Sequence, residues 1–452
     1  MKTFYMFIFL LVVSFKAAAN PTYDVEVARG LCDAAADKDN YNTEYTRNMF
    51  PLVLDSGNWI AGGQRELSKR IDRQSIKQLK RFIDTVEQRL NATIVIAHTP
   101  PRTLEKNRWF NGEYSSKQDL RDQYHAILNL YKQEGIHAPD LSQDMDSVEP
   151  NYYFHRDIHW RPEGAMHAAN VIANYLEEHN LIQHIPKSQS KYETRETGDY
   201  QLSSSTFNTV LKSICGYSFV NETTTRYETV PDEEVDLFAT AEPQIYLIGT
   251  SYSNGLAYNF EGFLKEALER DVANFAVSGG AEYGAWLQFL QTDDDGSDTH
   301  RIIIWELLSH YDPTSPERLQ HMLPMADNGC QNKPKLTTFN STLEGKQKKE
   351  LIFAPSLLNY YPSQLVIDLD TGVADTKSLR LLIWHASGRK TKVYLSSTRN
   401  RHKNGRFVFD LAEKQTDKLG KILAVDLIDI NSTSSAITQI SGSVCLDTSR
   451  GA

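Results

Sequence analysis

The stretch Gln244-Ile245-Tyr246-Leu247-Ile248-Gly249-Thr250-Ser251-Tyr252-Ser253-Asn254-Gly255 decides the fold. An apolar run, a Gly-Thr-Ser turn and a following segment, Leu256 to Arg270, with helical spacing read as strand, tight turn and helix. That order sets a hydroxyl at the carboxyl edge of a sheet, with N–H groups of the turn and helix start aimed near it. Around it, the apolar runs Leu52 to Leu54, Thr93 to Ala97, Asp271 to Val277 and Arg301 to Trp305 alternate with helical patterns over Gln64 to Leu90 and Gly164 to Glu178. Such alternation implies a parallel sheet covered by helices. Beyond residue 335 the pattern changes to short strand-like runs: Leu351 to Phe353, Gln364 to Leu369, Ser378 to Trp384, Lys392 to Leu395, Arg406 to Leu411, Ala424 to Ile430 and Ala436 to Val444. Without helices among them, these indicate a β-sandwich. The expected fold class is therefore an α/β domain followed by an all-β sandwich.

Composition agrees. The 452 residues are 40% hydrophobic and 23% charged, which excludes a collagen, a disordered chain or a disulfide mini-protein and leaves room for two to three cores. The net charge of −10 argues against nucleic acid, but it is unevenly divided. Residues 331–452 hold 18 Lys+Arg against 11 Asp+Glu, a net +7, and leave −17 to residues 1–330. The proline-rich stretch 312–335 at this break reads as a linker. The amino terminus has Lys2, an apolar Phe4 to Phe15 and Ala17-Ala18-Ala19 before Asn20, the pattern of a cleaved secretory signal. The expected organisation is a signal peptide at 1–19, a catalytic domain at 20–325 and a sandwich at 326–452. Export permits disulfides. Linker and charge break favour Cys32–Cys215 and Cys330–Cys445 among the three pairings of four cysteines, with free buried thiols as the alternative.

A second segment carries chemistry: Tyr152-Tyr153-Phe154-His155-Arg156-Asp157-Ile158-His159-Trp160-Arg161-Pro162-Glu163-Gly164, an extended run entering a helix whose first turn holds Pro162 and Glu163. Strand alternation would put Asp157 and His159 on one side, and an Asp beside a His orients the imidazole and stabilises its cation. Other readings exist for each segment. Ser251 and Ser253 could serve only as turn and cap residues. His155, Asp157 and His159 alternate as metal ligands could. A dinucleotide site fits poorly, because no Gly-x-Gly-x-x-Gly follows a strand. Taken together, the two segments favour a Ser/His/Asp site and no metal.

On these residues the chain resembles the periplasmic alginate O-acetyltransferases of the AlgX type. The similarity runs through Leu52 to Ile60, the Pro100-Pro101-Arg102 turn, the YYFHRDIHWRPEGA segment, the GTSYS turn, the IIIWELLSHY strand and the four cysteines. The resemblance implies an SGNH-hydrolase-like domain with Ser251 as nucleophile, His159 as base, Asp157 as its orienting acid and Tyr311 as an active-site tyrosine. It implies a carbohydrate-binding sandwich in which Arg380 and Trp384, on one face of a strand by alternation, meet the polymer; a core tryptophan beside a solvated arginine is the other reading. It also implies transfer of acetyl to mannuronate hydroxyls of alginate or a similar anionic exopolysaccharide in the periplasm. Acetyl would come from a membrane acyltransferase system rather than a soluble cofactor, alongside other exopolysaccharide biosynthesis and export proteins. One departure stands out: Val277 to Gly284 lacks the arginine often found in that loop of the family, so how the acceptor carboxylate is held stays open. A carbohydrate esterase with the same triad and a polysaccharide-binding scaffold are the rival functions.

Overall fold

The structure, a computed structural model, describes residues 31–55, 59–66, 68–105, 117–232, 242–292, 299–343, 348–396, 405–411, 416–432 and 439–447. The signal peptide expected at 1–19 lies outside these residues, as does the 436–438 start of the last expected strand. The first part runs α1 (Glu44–Arg47), β1 (Leu52–Asp55), β2 (Trp59–Gly62), α2 (Arg73–Leu90), β3 (Ala92–His98), α3 (Lys117–Gln133), α4 (Pro162–Glu178), β4 (Tyr192–Gln201), α5 (Thr206–Cys215), β5 (Thr223–Pro231), β6 (Ile245–Ile248), α6 (Ser251–Asn254), α7 (Phe260–Leu268), β7 (Val272–Asn274), α8 (Gly284–Thr292), β8 (Arg301–Leu307) and α9 (Pro316–Ala326).

Strands β3, β8, β6 and β7 form a parallel sheet in that order. All seven residues of β8 are buried, as a central strand covered on both faces requires. Its alternation divides the core: Ile302 and Ile304 join the layer of α4 and α7, whereas Ile303, Trp305 and Leu307 join that of α2, α8 and α9. Helix α2 starts where the Asp72 side chain accepts the Gln74 and Ser75 N–H groups at 2.8 and 2.9 Å. It therefore begins nine residues later than the apolar spacing from Gln64 suggests, with a 3₁₀ turn at Gly63–Glu66 before it. Strand β7 is shorter than the expected Asp271 to Val277. The β4–β5 hairpin leaves no mark in the sequence pattern, because its residues are mostly polar and exposed, with no apolar alternation to announce it.

Strands β9 (Lys335–Thr342), β10 (Lys349–Phe353), β11 (Leu365–Asp370), β12 (Thr376–His385), β13 (Lys390–Ser396), β14 (Arg406–Asp410), β15 (Ile422–Ser432) and β16 (Gln439–Leu446) make a sandwich of two antiparallel sheets, ordered β10-β15-β12-β13 and β14-β11-β16-β9. Strand β9 is the one sequence patterning missed, since Lys335–Thr342 buries little.

The expected linker is corrected. Residues 316–326 form α9, which buries Leu319, Met322, Leu323, Met325 and Ala326. Pro316 opens it at a position where a missing N–H costs nothing, and Pro324 falls in its last turn, so proline density concealed a helix. The two parts share one core, because Cys330, Val366, Val408 and Cys445 pack with Leu319, Met322 and Leu323. An Arg81–Asp447 ion pair at 2.9 Å ties the same surfaces. The cysteines form Cys32–Cys215 and Cys330–Cys445 disulfides.

Candidate active site

Residues 152–161 do not form the expected extended strand. They make a bent loop closed by the Tyr153–Trp160 bridge and the Arg161 N–H to Tyr152 carbonyl bond, 2.9 Å. A buried loop must find partners for its backbone outside a sheet. Here side chains supply them. Glu105 accepts the Tyr152 and Tyr153 N–H groups at 2.9 and 3.1 Å, and Glu222 those of His155 and Arg156 at 3.0 and 2.8 Å. Arg102, from the Pro-Pro-Arg turn, donates to the Phe154 and His155 carbonyls at 2.7 and 3.2 Å while paired with buried Glu66. Arg102 is therefore a clasp behind the loop.

Asp157 and His159 meet through this bend rather than through alternation. The Asp157 carboxylate accepts the His159 backbone N–H at 3.0 Å and the His159 Nδ1–H in a short contact, while its other oxygen accepts the Thr206 N–H at 2.5 Å. Thr206 opens α5, so the carboxylate also faces the positive end of that helix. The Cys32–Cys215 disulfide fastens the far end of α5. Burial works to raise the Asp157 carboxyl, but the His159 charge and the bonds from His159 and Thr206 outweigh it and hold it down to about 2. With Nδ1 protonated toward Asp157, Nε2 is left to accept the Ser251 hydroxyl at 2.7 Å. The Tyr258 ring stacks on the imidazole at 4.9 Å, and Tyr252 lies 4.7 Å from it.

Ser251 follows β6 at the sheet's carboxyl edge and begins α6. Behind it lies Glu306 of β8, which is fully buried. Glu306 accepts the Thr250 N–H at 2.7 Å, the Thr250 hydroxyl at 2.9 Å and the Ser253 hydroxyl at 3.1 Å. A Cβ at Gly249 would stand 2.7 Å from the Glu306 carboxylate, so only glycine lets the turn close on it. Sequence reasoning missed Glu306, because a glutamate ending an apolar strand looks like a surface residue.

Ser251 and His159 open into a cleft of about 600 Å³ that Tyr311, Lys69, Gly279 and Arg318 also line. Arg318 reaches from α9 to Glu282 at 3.0 Å and over the Tyr283 ring at 4.6 Å. A cation thus borders the very loop that lacks an arginine of its own. The metal reading fails on geometry. His155 is turned to Asn151, with its Nε2 2.9 Å from the amide nitrogen, and stacks on Trp59 at 4.2 Å. Among the described residues no group of three or more His, Cys, Asp or Glu is placed to hold a metal ion.

Residues 58–309 match the family described as SGNH hydrolase-like domain, acetyltransferase AlgX. The chain belongs to this family. Residues 329–452 match a C-terminal carbohydrate-binding module. The AlgX-type relatives include the alginate biosynthesis protein AlgX of Pseudomonas aeruginosa, 29% identical over 405 residues, 87% of this chain and 84% of that protein. A solved structure of Pseudomonas aeruginosa AlgX superposes with a TM-score of 0.81 at 26% identity, covering 92% of this chain and 99% of the other. A protein of Pseudomonas putida named probable alginate O-acetylase AlgJ is 27% identical over 275 residues, 58% of this chain and 70% of its own length.

In the carbohydrate-binding module, Arg380 and Trp384 lie on the outer face of β12, and the reading of Trp384 as a core residue does not hold. Arg380 is 63% exposed and 3.2 Å from Asp429; Trp384 is half-buried and donates its indole N–H to Asp426 at 2.7 Å. The β12–β13 register sets Tyr394, Lys392 and Lys390 opposite Arg380, Leu382 and Trp384, so the edge strand adds three side chains to the face. The Lys390 ammonium lies 3.7 Å from the Trp384 ring centroid.

Proposed function

We propose that this protein is a serine O-acetyltransferase that acetylates hydroxyls of mannuronate in alginate, or of a similar anionic exopolysaccharide, in the periplasm. The observation that carries the reading is the continuous Asp157–His159–Ser251 hydrogen-bonded chain, open to a cleft, in a polypeptide that also carries a carbohydrate-binding module. Asp157 orients the imidazole, and His159 takes the Ser251 proton as Oγ attacks the acetyl carbonyl of a donor. His159 returns the proton to the leaving group, and an acetyl-serine remains. A sugar hydroxyl then attacks this ester, gives its proton to His159, and Ser251 regains it. Thr250 cannot offer its N–H to the oxyanion because Glu306 holds it, so the Ser251 N–H and the Tyr311 hydroxyl are assigned that role.

Nucleophile and base are both side chains, and in this reading acetyl arrives from a membrane acyltransferase system rather than a soluble cofactor, with other exopolysaccharide biosynthesis and export proteins acting alongside. Arg380 and Trp384, with Lys390, Lys392 and Tyr394, form the polymer-holding face: cations for carboxylates and rings for sugar stacking. Arg318 and Lys69, which line the cleft, are the cations assigned to an acceptor carboxylate there. Incubation with a chromogenic acetyl ester, with and without polymannuronate, tests the reading. Acetylated oligomer supports the transferase; free acetate alone with either addition makes the protein an esterase, and no turnover makes it a scaffold.

A further inference from the structure

Glu306 occupies a place where physical chemistry favours leucine. The other six positions of β8 are buried, Arg301 and five apolar residues, and an ionised carboxylate at full burial costs several kcal/mol unless strong partners compensate. Among the described residues no lysine or arginine forms an ion pair with it. Its partners are instead the Thr250 N–H, the Thr250 hydroxyl and the Ser253 hydroxyl, the residues on either side of Ser251 in the nucleophile turn. A carboxylate can accept all three at once; a leucine would leave the Thr250 N–H buried without a partner.

We propose that Glu306 is a positioning residue of the acetyl-transfer site. Its carboxylate clamps the Thr250–Ser251 turn so that Ser251 meets His159, and its uncompensated negative charge favours the imidazolium that His159 becomes in both half-reactions. The inference rests on the triad reading above and deepens it. Glu306 touches neither donor nor acceptor and acts through Thr250, Ser253 and the field it lays beneath the site. The titratable groups whose charges act on it or respond to it include His159, from the bent loop, and Tyr252, from α6. Burial pushes the Glu306 carboxyl up to about 6, against the pull of its hydrogen bonds from Thr250 and Ser253. The charge is therefore present at neutral pH and withdrawn as pH falls through that value.

Two substitutions separate charge from scaffold. In Glu306→Gln the amide oxygen still accepts from Thr250 and Ser253, so the turn is kept and only the charge is lost. Turnover of an acetyl ester should fall roughly tenfold, with KM little changed, the melting temperature equal or higher, and the acid limb of the kcat profile moved to lower pH. Ser253→Ala keeps the charge but removes a bond that stabilises it, so the acid limb should move to higher pH. Ser251→Ala, run alongside, separates the two claims: if it retains turnover the triad itself is wrong, whereas its loss with a wild-type Glu306→Gln overturns only the Glu306 proposal. Should Glu306→Gln fail to fold, an unmoved limb in Ser253→Ala overturns the proposal by itself.

Discussion

The cleft and the outer face of the sandwich solve different problems with the same side-chain chemistry. Behind the cleft the polar groups are held by several fixed partners: Asp157 accepts three hydrogen bonds, Glu306 three, and the bent loop is pinned by Glu105, Glu222 and Arg102. On the sandwich face Arg380 is mostly exposed with one carboxylate beside it, and Tyr394 is 57% exposed. Buried, over-determined groups are suited to stabilising a transition state without reorganisation. Exposed and loosely held ones suit a long polymer that must be gripped and released along its length. The difference implies steep, non-additive losses in the cleft and shallow, salt-sensitive losses on the face.

The largest effect expected is at Ser251 and His159. Ala at either should lower acetyl-ester turnover by about 10³-fold or more, with the double variant little worse than each single one, while polymer binding is retained. Independent, additive losses in steady-state kinetics would break the picture of a single unit. Next is Arg102→Ala, which takes the guanidinium away from buried Glu66 and from the Phe154 carbonyl; chemical denaturation should show a loss of about 3–5 kcal/mol.

Glu306 gives a smaller effect of opposite sign. Its folded-state pKa, about 6, lies above the ordinary 4.5, so the folded protein binds that proton more tightly than the unfolded chain. The stability it lends is full below about 4.5 and is lost as pH rises through about 6. Glu306→Gln should therefore be more stable than wild type at pH 7.5, on the order of 1–2 kcal/mol, with the gain vanishing in acid. Denaturation at both pH values checks it. Asp157, held near 2, has the reverse sign: what it contributes is full above about 3.8 and is lost as pH falls through about 2.

The smallest effects belong to the face. Trp384→Ala should weaken polymannuronate binding by about fivefold, on the order of 1 kcal/mol, and Arg380→Ala by less than that. Both should leave turnover of a small ester alone, and wild-type binding should weaken as salt screens the face. Titrations at two ionic strengths measure this; salt-independent binding would show that the face is not an electrostatic one.

How much of this was legible in the sequence follows from what periodicity can encode. Strand β6, the GTSYS turn and the buried run of β8 announce themselves because central parallel strands are apolar throughout. Asp157, His159 and Ser251 stood out as residue types in suggestive segments, but their meeting depends on a bend closed by Glu105, Glu222 and Arg102, and those lie far off in the chain. Helix α9 was hidden by Pro316 and Pro324, and the β4–β5 hairpin by its polar composition. Glu306 could not be assigned from sequence, because only the closed turn at Gly249 reveals what its carboxylate serves. On the sandwich, alternation gave Arg380 and Trp384, whereas Lys390, Lys392 and Tyr394 needed the β12–β13 register.

Intact-protein mass spectrometry tests directly whether acetyl passes through Ser251 to a sugar hydroxyl. With an acetyl ester as donor, the full chain should gain a single acetyl group that maps to the peptide containing Ser251. Adding polymannuronate should remove it, with the acetyl recovered on the polymer. An adduct on another residue, undiminished turnover in Ser251→Ala, or acetyl released only as acetate in the presence of polymer would contradict it.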